Sequence, residues 1–139
     1  MIDPHNAERI DAAFPAVLEM LRPKAREAVE RDGYLSDIKR DGYPVLREVD
    51  GWCVFFQNGC ALHRIGEERG SKFAYKPYLC ALFPLEKIDE DEGNWFIRQK
   101  DYRDEKWDLP CLSPEAGTGL AFEKIQDEIV LASWLVQWD

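Results

Sequence analysis

Four cysteines, Cys53, Cys60, Cys80 and Cys111, fall within one stretch of a 139-residue chain, with six, nineteen and thirty residues between them. None lies on the segments of helical pattern at either end of the chain. Cysteines used only as small apolar residues would be expected on those helical faces as well. Four thiolates suit zinc in a closed tetrahedral site or an iron–sulfur cluster. Buried thiols are the competing reading, because the spacing contains no CxxC pair of the zinc-ribbon kind. Trp52, Phe55, Phe56, Phe83 and Trp95 lie near the cysteines in sequence. Such a shell would keep water from a metal centre, and it would equally serve an ordinary core.

The elements that must position these cysteines are legible in the pattern. Residues 3–32 predict helix: Ile10, Phe14, Val17, Leu21, Ala25 and Ala28 recur at spacings of three and four. Asp3 is suited to cap it with Pro4 in the first helical position, and Gly33 supplies a stop. Pro15 and Pro23 should kink this stretch or split it into consecutive helices. In the centre, Val45–Val49 and Trp52–Phe56 flank Asp50-Gly51, a hairpin signal. Leu85–Ile88 and Trp95–Arg98 flank the acidic run from Asp89 to Glu92 and predict a second hairpin, with the run as a solvated tip. Between them, Cys60–Arg69 reads as a short helix closed by Gly70, and Pro77 and Pro84 punctuate the segment holding Cys80.

Towards the end, Phe122, Ile125, Ile129, Ala132 or Ser133, and Val136 predict an amphipathic helix over 119–137, with Glu123, Lys124, Gln126, Asp127 and Glu128 on its other face. Its apolar side, enlarged by Trp134 and Trp138, should pack on the centre or else meet a protein partner. The expected fold is therefore α+β and a single domain over 1–139. A helical cover (1–42) and a C-terminal helix (112–139) pack around a small irregular centre (43–111), which a four-cysteine metal site organises.

The centre also resembles a known family. Cys53-x6-Cys60-x2-His63, then Lys76-Pro77-Tyr78-x-Cys80-x2-Phe83-Pro84-Leu85, then Cys111 followed by Gly117 and Gly119, is similar to the YkgJ-type CxxCxxCC cysteine-cluster family, described as zinc- or iron-chelating. The resemblance covers about residues 45–120, and Lys76 stands where the family carries a basic residue before the proline. It implies a metal site of Cys53, Cys60, Cys80 and Cys111. One departure is plain: family members open with a compact upstream cysteine cluster, and this chain has no cysteine before Cys53.

His63 shares a helical face with Cys60 and is a candidate substitute ligand, second donor to a thiolate, or simply a part-exposed helix histidine. Lys76 is a candidate cation to offset a tetrathiolate, or a surface lysine. His5 reads as solvated. No phosphate-binding glycine loop, nucleophile elbow or calcium loop is recognisable, so no catalytic residue is assigned. A [4Fe-4S] cluster is favoured over zinc, since the ligands are spread without a knuckle pair and aromatics would shield a cluster. Three functions follow: a metal-binding protein, an iron–sulfur redox protein or enzyme, or an acidic interaction module with structural zinc.

Charge narrows the partners. Eighteen basic residues against 27 acidic ones give a net charge of −9, and Lys24, Arg26 and Arg31 are interleaved with Glu27 and Glu30. Residues 1–30 carry too many charges for a signal peptide, and no run approaches the roughly 18 apolar residues of a membrane span. The expectation is a cytoplasmic protein with no membrane partner, in a compartment where thiols stay reduced. Nucleic acid should not be a partner either. Titration with duplex DNA at several salt concentrations should detect no micromolar binding; an affinity falling steeply with salt would contradict this.

Overall fold

A computed structural model describes residues 1–87, 94–98, 101, 104 and 119–136. They form a mixed α+β chain of helices and small antiparallel hairpins, divided into two compact units, Met1–Tyr78 and Leu79–Asp139. The division falls inside the stretch expected to be one cysteine-bearing centre, between Cys60 and Cys80.

The first unit opens with α1 (Pro4–Met20), capped as predicted: the Asp3 carboxylate accepts the Asn6 N–H at 2.7 Å. Pro15 stands inside α1 without ending it, whereas Pro23 opens α2 (Pro23–Asp32). Gly33, at φ 77°, closes α2 and donates its N–H to Val29 O at 2.8 Å. The predicted stripe is buried at Ile10, Val17, Leu21, Ala25 and Ala28. Phe14 is the exception. It is only half-buried, and Ala13 takes its place in the seam, leaving the Phe14 ring to meet Tyr34 at 5.5 Å between centroids.

The seam packs against α3 (Ala61–Glu68) through Leu62 and Ile65, and against Val54 and Phe55 ahead of it. Gly66 is required there: a Cβ on it would lie 2.4 Å from Ser71 O, so the chain after α3 folds directly onto the helix.

Two hairpins lie between α2 and α3 along the chain. Strands β1 (Leu35–Arg40) and β2 (Tyr43–Leu46) pair antiparallel, with Arg40 opposite Tyr43 and Leu35 opposite Leu46. This hairpin was not expected, and it takes Val45 and Leu46 from the one that was. The predicted hairpin is accordingly short, β3 (Glu48–Val49) against β4 (Trp52–Cys53). Both turns are Asp-Gly with positive φ at each residue (Asp41 49°, Gly42 82°; Asp50 56°, Gly51 77°), the two-residue geometry whose twist matches the strands.

In the second unit, α4 (Tyr78–Leu82) begins at the boundary, and β5 (Leu85–Lys87) pairs antiparallel with β6 (Trp95–Ile97), as predicted. The acidic run between those strands lies outside the described residues. The C-terminal helix is two pieces, α5 (Ala121–Lys124) and α6 (Gln126–Val136), broken at Ile125. Ile125 and Ala132 are buried as the periodicity requires, but Phe122 is exposed because it sits before the break. Among the described residues no helix is long and apolar enough to cross a membrane.

The seam sets the stability of the first unit. Ile10→Ala, at a fully buried position, should cost about 2–5 kcal/mol in urea unfolding, and Phe14→Ala distinctly less, because its ring keeps solvent contact. Equal costs would contradict the packing described.

Candidate metal centre

Cys53 and Cys60 bracket one compact loop. Cys53 ends β4, its Cα paired with Glu48, and its carbonyl accepts the Phe56 N–H at 2.9 Å. The chain then reverses at Asn58 and Gly59, with φ 51° and 112°, and Gln57 N–H donates to Gly59 O at 2.7 Å. Phe56 and Cys60 form an isolated antiparallel bridge across this reversal. Cys60 is the residue that precedes α3, and Ala61 N–H returns to Phe55 O at 2.8 Å. Both cysteines are half-buried and pack against the apolar core of the unit.

Arg22, in the link between α1 and α2, fixes the backbone of this loop. Its Nε donates to Phe56 O at 2.9 Å, and one NH2 group donates to Val49 O and to Cys53 O, each at 3.3 Å. A planar guanidinium reaches three carbonyls that the β3–β4 turn and the following loop leave turned towards it. The sequence signalled nothing of this: Arg22 reads as a charge off the apolar stripe, and its partners lie 27 to 34 residues away. Arg47 works similarly at the end of α2, donating to Asp32 O, Gly33 O and Leu35 O at 3.1, 2.8 and 2.7 Å. Arg64 NH2 adds a bond to Gln57 O at 2.9 Å. Asn58-Gly59 and Asp41-Gly42 were readable as turn signals in the sequence.

The other candidate residues are placed differently. His63 projects from α3 with Nε2 3.3 Å from Glu67 Oε1, one turn along the same helix, and its side chain is about a third exposed. Lys76 is half-buried in the segment leading to Pro77. Cys80 lies on α4 in the second unit and is exposed. Cys111 lies outside the described residues. Among the described residues no group of three or more His, Cys, Asp and Glu side chains is arranged to hold a metal. Of the four candidate ligands, the described residues bring Cys53 and Cys60 onto one loop and place Cys80 in the second unit.

A second polar cluster ties the end of the first unit to α1. Buried Asn6 accepts the Tyr78 N–H on Oδ1 at 3.0 Å and donates from Nδ2 to Asp3 at 3.0 Å. Arg9 donates to Phe73 O and stacks its guanidinium over the Tyr78 ring, 4.2 Å from the centroid. His5, read from the sequence as solvated, stacks on the same ring and places Nε2 3.2 Å from the Tyr78 hydroxyl. Nearby, burial and the hydrogen bond to Asp11 at 2.8 Å push the Tyr34 phenol above its ordinary range. These contacts settle the path of 73–78, the segment that precedes Cys80.

If Arg22 holds the cysteine loop, Arg22→Ala should lower stability by about 1.5–3 kcal/mol and speed modification of Cys53 by a thiol reagent. Arg22→Lys should recover little, since an ammonium does not present the same fork. Unchanged reactivity in the alanine variant would count against this role. No family model, curated protein or solved structure matches the chain, so the chemistry of the loop has to be argued from its own residues.

Proposed function

We propose that this chain is a metal-binding protein whose ligands are the thiolates of Cys53, Cys60, Cys80 and Cys111, holding an iron–sulfur cluster, with [4Fe-4S] preferred, or zinc. The observation that supports the reading is the loop between Cys53 and Cys60. Two soft donors stand at its ends, half-buried, on a backbone already tied down by Arg22 and by the bonds from the Phe56, Gln57 and Ala61 N–H groups to the Cys53, Gly59 and Phe55 carbonyls. Ligands held in place before binding lose little conformational freedom when the metal arrives. Completing the set takes Cys80 and Cys111. The likeness of the Cys80 segment to the YkgJ-type family argues for the first of these, and the placement of Cys111 in the same pattern argues for the second. His63, already beside Glu67, is better suited to a supporting role than to ligation, and Lys76 would offset thiolate charge.

Elemental analysis of protein purified without oxygen tests this. It should find iron or zinc in near-stoichiometric amount; iron with broad visible absorption identifies a cluster, and colourless protein with zinc identifies the alternative. Cys53→Ser and Cys60→Ser should each lose most of the metal while the first unit stays folded. Cys80→Ser should lose metal without touching that unit's core. Wild-type protein free of both metals would overturn the proposal.

A further inference from the structure

The described residues leave nine large hydrophobic side chains exposed, and four of them, Leu120, Phe122, Val130 and Trp134, fall in one short C-terminal stretch. Val130 and Trp134 are 55 % and 62 % exposed and stand one turn apart on α6, while Ala132, on its opposite side, is buried. The helix is therefore already seated by one face and offers a second apolar face to solvent. Around that face the charge is mainly acidic: Glu123 and Asp127 are exposed in the turns before Val130, and Lys124 is the one basic side chain between Leu120 and Trp134.

We propose that this face docks a basic amphipathic segment of a protein partner. An apolar anchor of the partner would cover Val130 and Trp134, and Lys or Arg side chains flanking it would face Asp127 and Glu123. An apolar centre with a polar rim is the usual anatomy of such a site, and tryptophan is enriched among its anchors. The charge selects among occupants. A second copy of the chain would bring the same carboxylates to the contact and a net charge of −9 behind them. An anionic lipid surface would be repelled for the same reason. A basic segment gains from both the apolar and the charged part of the surface.

The proposal does not depend on metal binding, and its test is independent of metal content. A fluorescein-labelled amphipathic peptide of leucine and lysine, and its leucine and glutamate counterpart, would be titrated with the full chain by anisotropy. The lysine peptide should bind and the glutamate peptide should not. Trp134→Ser and Val130→Ser should each weaken binding at least tenfold, with unchanged circular dichroism because both positions are exposed. Trp52→Ser, at an exposed tryptophan of the first unit, should leave it unchanged. Equal binding by wild type, Trp134→Ser and Trp52→Ser would reduce the effect to net charge and overturn the proposal. So would failure of the lysine peptide to bind, or self-association of the wild type that Trp134→Ser abolishes.

Discussion

Backbone carbonyls turned inward by tight reversals must find donors, and the first unit meets that demand with arginine forks. The β3–β4 hairpin is too short to satisfy the loop that follows it, with two residues in each strand. Arg22 supplies donors to three carbonyls of the segment 49–56, and Arg47 to three at the exit of α2. Arg47's bonds to Asp32 O and Gly33 O are exposed, and water can replace them. An unmade bond at a part-buried carbonyl costs about 1–3 kcal/mol, which applies to the three bonds of Arg22 and to Arg47's bond to Leu35 O. Exposed ion pairs such as Lys24 with Asp50 contribute little beside them.

The Arg22 fork works because the two helices that flank it are fixed. Leu21 is buried immediately before Arg22, and Ala25 two residues after Pro23 opens α2, so the link between α1 and α2 is held at both sides. The same core takes in Val54 and Phe55 between the cysteines and Ala61 and Leu62 after them. Cys53 and Cys60 are thus carried on a loop that apolar contacts and hydrogen bonds order together. The sequence led to the expectation that a metal would do this ordering. Core contacts and hydrogen bonds hold the loop in this structure, and a metal bound there would add to them.

How much of this was legible follows from the range of each interaction. Local signals read well: the Asp3 cap, Pro23 opening α2, the Gly33 stop, the 50–51 turn and the span of α3 all rest on neighbours within a few residues. The β1–β2 hairpin carries the same Asp-Gly signal, but its strands, with Lys39, Arg40 and exposed Ile38, lack an alternating apolar face. Phe14 was placed on the stripe by spacing, yet Ala13 fits between helices where a ring does not. Arg22 and Arg47 were illegible because their partners are carbonyls, which every residue possesses, at positions set only by the fold. Of the proposed ligands, the sequence supplied all four, and the described structure brings Cys53 and Cys60 onto one loop while placing Cys80 in the second unit.

The claim on which the rest turns is that the cysteine loop is ordered by Arg22 and the core before any metal binds. Native-state hydrogen exchange on chelator-treated protein measures this directly at the amides of Phe56, Gln57 and Ala61, which bond to Cys53 O, Gly59 O and Phe55 O. The account predicts protection within roughly tenfold of that in α1, with little change when iron or zinc is restored. Exchange at the rate of an unstructured chain, with protection gained only on adding metal, would contradict it.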